Sequence, residues 1–216
     1  MTVQNPQDIH DILEDHVLTH VSTPAQYLGL ELNAANKDPE EADVSFALLF
    51  PDTYSVGMSF VGYQILYIVL NDLPWCAADR AYMPWPDMQE KMQDYEIPLF
   101  TVESFRPVRS FDVVGFTLQY EMLYTNVLSM LDLAGLPIES AGRAEDDPLI
   151  IAGGPGAAVP EPMADFVDLF FVGDGEVSLP QFAELLRKME SDGATREEKM
   201  LAAAREVPGV YAPRLD

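Results

Sequence analysis

The loop Pro51-Asp52-Thr53-Tyr54-Ser55-Val56-Gly57 concentrates the side chains best suited to ligand chemistry. A carboxylate at Asp52 can orient a neighbouring group. The Tyr54 phenol, with an ordinary pKa of about 10, exchanges hydrogen bonds but is a poor neutral metal ligand. Two further loops are built on glycine: Gly153-Gly154-Pro155-Gly156 and Gly173-Asp174-Gly175-Glu176. Lacking Cβ atoms, they let the backbone approach a flat or bulky ligand closely. No Lys-Ser/Thr pair follows the first, so it is not a phosphate-cradling loop, and its spacing does not match the dinucleotide fingerprint. Asp174 and Glu176 would repel a pyrophosphate at the second. Simple nucleotide binding is therefore disfavoured, and a tight strand-to-helix turn is the competing explanation of each glycine loop.

Other reactive types are sparse. Cys76, the single cysteine, has no histidine nearby in sequence and reads as a small packed hydrophobe. One cysteine excludes an internal disulfide, and with it a cysteine-ligated zinc or iron–sulfur cluster built from this chain alone. His10, His16 and His20 all lie near the N-terminus. His16 and His20 are spaced to share a helix face, but no cysteine or third histidine completes a metal site. No nucleophile–base pair is evident, which leaves an independent small-molecule enzyme as the weakest functional class.

The chain of 216 residues carries 36 Asp+Glu against 12 Lys+Arg, a net charge of −24. Such a surface repels phosphate backbones and anionic lipid, so direct nucleic-acid or membrane binding is not expected. Met58 to Leu70 is the longest apolar stretch, interrupted and too short for the ~20 residues a bilayer requires. The N-terminus lacks the features of a secretory signal. A soluble, cytoplasmic protein is expected.

These residues need elements to position them. Residues 1–42 read as a leader: a helix over Gln7 to Leu18, then a turn-rich linker from Asn33. Residues 43–190 alternate short apolar runs with helical patterns. Strands are expected at Val44–Phe50, Arg80–Met83, Phe111–Leu118, Leu149–Ala152 and Leu169–Val172, with an edge strand at Leu99–Val102. Helices are expected at Met58–Asn71, Pro86–Tyr95 and Leu123–Ala134, and around Phe182, Leu185, Leu186 and Met189. The order implies a three-layer Rossmann-like α/β fold with a mostly parallel five-stranded sheet. Residues 191–216 read as a further helix, about Thr195 to Arg205, and a connector. In an open parallel sheet, ligands collect beyond the carboxyl ends of the strands, where the loops at 51–57, 117–121, 153–156 and 173–176 gather.

The outline Asp52-x-Tyr54-x-x-Gly57, with Thr117-Leu118 after the central strand and Gly153-Gly154 after the next, resembles cobalamin-binding domains of the methionine synthase and mutase type. Those carry D-x-H-x-x-G, in which His ligates cobalt and Asp orients it. Here Tyr54 replaces that His. The resemblance implies Asp52, Tyr54, Gly57, Thr117, Leu118, Gly153, Gly154, Gly173 and Gly175 as cofactor-binding positions, and cobalamin held without a protein His ligand, or a vestigial domain holding none.

A longer series of motifs is similar to the N-terminal, B12-binding-like region of a bacterial radical SAM protein family. It comprises Leu73-Pro-Trp75, Tyr82-Met-Pro-Trp-Pro-Asp-Met88, Ile97-Pro-Leu-Phe-Thr-Val-Glu-Ser104, Phe111 to Glu121, Tyr124-Thr-Asn126, Leu131 to Pro137, Ile151 to Pro155, Pro160-Glu-Pro162 and Val172 to Glu176. The resemblance implies a radical SAM core in cis, whose three-cysteine motif holds a [4Fe–4S] cluster that cleaves S-adenosylmethionine, neither group being bound by this chain. It further implies that the chain is an excised or truncated N-terminal domain, not catalytic alone, acting on a substrate the residues do not identify. The alternative is a structural or protein-interaction domain with no cofactor. Tyr63, Tyr67, Trp75, Tyr82, Trp85, Tyr120 and Tyr124 would then be core and rim packing or a face that covers a partner.

Overall fold

The computed structural model describes residues 3–215. Met1, Thr2 and Asp216, which the leader and connector readings include, lie outside the described residues. The elements run α1 (Pro6–Ile12), β1 (Val44–Phe50), α2 (Tyr54–Gly57), α3 (Val61–Asn71), β2 (Cys76–Tyr82), α4 (Pro86–Asp94) and β3 (Val113–Thr117). They continue with α5 (Tyr124–Leu133), β4 (Leu149–Gly153), β5 (Leu169–Phe171), α6 (Gly175–Ser191), α7 (Arg196–Glu206) and β6 (Val210–Tyr211). The sheet order is β2-β1-β3-β4-β5-β6, with β1 to β5 parallel and β6 antiparallel to β5. The fold is a three-layer Rossmann-like α/β unit.

β1 shows why the strands read as continuous apolar runs. Every residue from Val44 to Phe50 is buried, yet successive side chains serve opposite layers. Phe46, Leu48 and Phe50 join a core with Tyr63 and Tyr67 of α3 and Phe182 of α6. Ala47 and Leu49 join the other, with Met88 of α4, Val127 of α5, and Ile9, Leu13 and Val17 of the leader. After β1 the chain turns out to β2 and then returns to β3 on the far side of β1, so the topological switch lies between β1 and β3.

Several elements differ from the sequence reading. The sheet has six strands, because Val210–Tyr211, expected as part of a connector, pairs with Phe170 and Phe171. β2 begins at Cys76 and not at Arg80; its Asp79 and Arg80 disguise a buried strand. The expected edge strand at Leu99–Val102 is reduced to a single bridge, Phe100 to Pro107, across a turn in which Phe105 has φ +57°. The helix expected from Met58 begins only at Val61, after extended Phe60, and a short α2 precedes it. The leader helix stops at Ile12 and loosens into a π-helical turn over Leu13–Val17. α7 starts on a capping box, in which Thr195 and Glu198 satisfy each other's backbone N–H groups.

The amino ends of the strands are closed by ionic contacts. Asp168, fully buried, accepts from Ile150 N at 2.7 Å, and it pairs with Arg143 at 2.9 Å and with Arg196 of α7. A cleft of about 710 Å³ lies at this end, but its basic side chains are already engaged: Arg109 with Asp147, Arg196 with Asp168, Lys199 with Glu190. The carboxyl ends carry the candidate site.

Candidate functional site

The carboxyl edge is divided in two. Beyond β1 and β2 it is plugged. Asp52 follows β1; its Oδ1 accepts from Thr53 N at 2.7 Å and its Oδ2 accepts from the Tyr120 hydroxyl at 3.2 Å. Tyr54 opens α2 and meets the Tyr82 ring edge-on, with centroids 5.2 Å apart. Its hydroxyl donates to Glu31 Oε1 at 2.6 Å. Burial, then the hydrogen bond and charge of Glu31, push the Tyr54 phenol up to about 12, so it stays protonated. Gly57 is required by contact: a Cβ there would stand 2.6 Å from Tyr82 Cε1 and 3.0 Å from Phe50 Cγ.

Beneath Tyr54 lies Arg80 of β2, whose side chain is 3% exposed. Its Nε donates to Glu103 Oε1 at 2.7 Å and its Nη1 to Gln64 Oε1 at 2.8 Å. The Tyr67 ring lies 4.2 Å from the guanidinium carbon, a cation–π distance, and the Tyr67 hydroxyl donates to Glu103 Oε2 at 2.6 Å. Burial, with the charge of Asp79, lifts the Glu103 carboxyl to about 7 against the opposing pull of Arg80. The cavity bordered by Tyr54, Tyr82, Tyr27 and Met88 measures only about 10 Å³.

Beyond β3, β4 and β5 the edge is open. A cavity of about 260 Å³ lies between the sheet and helices α3 and α6. Leu48, Gly115 and Ile151 form its sheet side, Leu66 and Leu179 its helical walls, and Thr117, Gly153, Gly154, Gly173, Gly175 and Glu176 its rim. Glycine creates this space in two ways. At Gly115 an added Cβ would project to within 3.4 Å of Ile151 and Leu48. At Gly154, φ is +92° and a Cβ would strike Leu118 O at 2.8 Å, so only glycine permits the turn. Leu118 N donates to Gly153 O at 2.8 Å and Leu118 O accepts from Gly156 N at 2.9 Å.

Of the positions expected from sequence, the structure therefore gathers Thr117, Gly153, Gly154, Gly173 and Gly175 around one slot. Leu118 serves it through backbone only, its side chain being buried in the opposite core. Tyr54 borders a separate, small cavity with Tyr27 and Tyr82, and Gly57 packs against Tyr82. Sequence reasoning missed Glu31, Arg80 and Glu103. The available signal was a charged pair, Asp79-Arg80, inside the otherwise small and apolar run Cys76–Tyr82.

The remaining candidates are packing residues. His10 packs on Phe105 and His16 stacks on Tyr95. Cys76 is buried, and burial pushes its thiol up to about 12. Among the described residues, no group of three or more His, Cys, Asp or Glu is placed to hold a metal, and no helix is long and apolar enough to cross a membrane.

Comparison with known proteins gives this geometry a family. An uncharacterized protein of Methanocaldococcus jannaschii is 24% identical over 150 residues, covering 68% of this chain and 28% of that protein. The chain thus spans little more than a quarter of the relative's length. No solved structure matches. The family model described as radical SAM proteins, N-terminal, matches residues 62–213, well over half of the chain and all strands but β1. This chain belongs to the N-terminal family of radical SAM proteins.

Proposed function

We propose that this domain is a degenerate, cobalamin-binding-like accessory unit, which places a cofactor or substrate for a radical SAM core joined to it in cis in the cytoplasm. The slot of about 260 Å³ at the switch-side carboxyl ends carries the reading. It lies where open α/β sheets take ligands, it is lined by apolar side chains and glycine backbone, and it is sized for one flat ring system at a time. The slot suits a flat, uncharged ring such as the base of a cobalamin tail, and Tyr54 does not suit cobalt ligation, because its hydroxyl is committed to Glu31 and remains protonated.

In this reading Thr117, Gly153, Gly154, Gly173 and Gly175 would contact the group, while Leu66 and Leu179 exclude water from it. A bound cobalamin would supply cobalt as a carrier of an organic group. The [4Fe–4S] cluster and S-adenosylmethionine belong to the core, since the single, buried cysteine of this chain cannot ligate a cluster. Mixing the purified chain with hydroxocobalamin and desalting tests the cofactor: a retained visible chromophore supports it, and a colourless protein removes it.

One observation favours a second reading, a protein-interaction domain without a cofactor. Val61, Val172 and Val177, all exposed, neighbour rim and wall residues of the slot, and Met122, 83% exposed, follows β3. Exposed apolar groups collected at one end of an acidic molecule suit a covering surface such as the core. A colourless domain whose amides at these positions become protected when the core is attached would favour this reading.

A further inference from the structure

We propose that Arg80 and Tyr54 form a binding site for the carboxylate of a small ligand, a site that Glu31 fills in this structure as a tethered stand-in. The site is separate from the slot and does not rest on the cobalamin reading.

Glu31 belongs to a strap, residues 28–36, that passes Val102, Tyr54, Arg80 and Tyr67. The strap is pinned at its ends. Gly29, with φ +58°, presses on Val102, where a Cβ would fall 2.1 Å from the carbonyl oxygen, and Ala35 N donates to the Tyr67 hydroxyl at 2.6 Å. Between these points, Leu30 is 77% exposed and Leu32 fully exposed, while the glutamate between them points inward. That inverts the ordinary preference for burying leucine and solvating glutamate. An inverted segment of this kind is held by the specific seat of its one charged group.

The seat fits a carboxylate, but Glu31 fills it imperfectly. Oε1 accepts from Tyr54. Oε2 is buried without a hydrogen-bond partner among the described residues and stands 3.7 Å from Arg80 Nη2. Guanidinium–carboxylate pairs ordinarily close to about 2.7–2.9 Å. The tether holds Glu31 short of that distance, and a free carboxylate has no such restraint. Arg80 Nη2 already lies 2.6 Å from Glu103 Oε1, so two carboxylates compete for one buried guanidinium with Asp79 close by. Exchanging Glu31 for a ligand carboxylate leaves the buried charge unchanged, returns one carboxylate to water, and lets the entering one close on Arg80 Nη2 from the side that Glu31 faces. Freed from its seat, the strap opens the site towards solvent.

Sodium acetate is the probe, with sodium chloride at matched ionic strength as the control. In the 216-residue chain carrying Glu31→Ala, acetate should raise the melting temperature saturably, by about 2–4 °C for one restored ionic contact in a chain of this size, and chloride should not. Adding Tyr54→Phe should weaken the apparent acetate affinity about tenfold, as one charge-assisted hydrogen bond is lost. In the unaltered chain, acetate should accelerate hydrogen exchange of amides 30–35 several-fold as the strap is displaced, with amides of β4 unaffected. Equal effects of acetate and chloride on Glu31→Ala overturn the proposal. Should Glu31→Ala not fold, the exchange experiment decides alone, and unchanged amides 30–35 in acetate overturn it.

Discussion

The two halves of the carboxyl edge solve one problem in opposite ways. Parallel strands end in loops that leave a crevice, and here the crevice over β1 and β2 is filled by a charged cluster, while the crevice over β3 to β5 is lined with glycine and left empty. The first leaves about 10 Å³ and the second about 260 Å³. A buried guanidinium with two carboxylates is held by geometry and loses much when one partner goes. The slot is instead kept open by glycine turns and leaves part of the apolar wall formed by Leu66, Ile151 and Leu179 uncovered, a cost of about 25 cal/mol per Å² of apolar surface left in water. Within one sheet, the charged half confers specificity of position and the glycine half confers capacity.

The contrast is broken most severely at Arg80. Arg80→Met leaves Glu31 and Glu103 buried without a countercharge and should lower unfolding free energy by about 3–5 kcal/mol, read from urea denaturation. An unchanged midpoint would mean that the cluster is no more than a solvated surface. Gly154→Ala strikes the open half. With φ +92° and Leu118 O at 2.8 Å, it should cost roughly 1–3 kcal/mol and reduce ligand retention.

Glu103 separates the halves by pH. Its folded pKa, about 7, is raised from an ordinary 4.5, so the native state binds the proton more tightly than the unfolded chain. The stabilisation from this group is complete below pH 4.5 and is lost as pH rises through about 7. Glu103→Gln should flatten that part of the stability–pH profile. Coincident profiles for unaltered protein and Glu103→Gln would refute the assignment.

Gly115→Ala should sharpen the comparison, because its two effects have opposite signs. The methyl enters at ordinary contact distance, 3.4 Å from Ile151 and Leu48, and should stabilise the strand by about 0.5–1 kcal/mol. The same methyl narrows the slot and should weaken hydroxocobalamin retention. Smallest of all, Met122→Ser at an exposed position should change stability by less than about 0.5 kcal/mol. A larger loss there would show that the rim is packed and not open.

Much of the architecture was legible before the fold was seen. Val44–Phe50 and Leu149–Ala152 announce strands covered on both faces, and Leu123, Val127, Met130 and Leu131 announce a helix with one buried side. The Gly153-Gly154 and Gly173-x-Gly175 loops were legible as neighbours at the carboxyl ends of the strands, and the structure brings both to one slot. β2 was misplaced because Asp79 and Arg80 look like surface residues. β6 was missed because a two-residue strand, Val210–Tyr211, has no period to read.

The sequence by itself determined the layers, the parallel order and the glycine rim, since these follow from local runs of residue type and from turn chemistry, which act over a few positions. Only the tertiary structure decided that Glu31, Tyr54, Arg80 and Glu103 share one buried site. Their charges meet across 72 positions of chain, and the energy of such a meeting depends on distance and burial in space, which spacing along the chain does not encode.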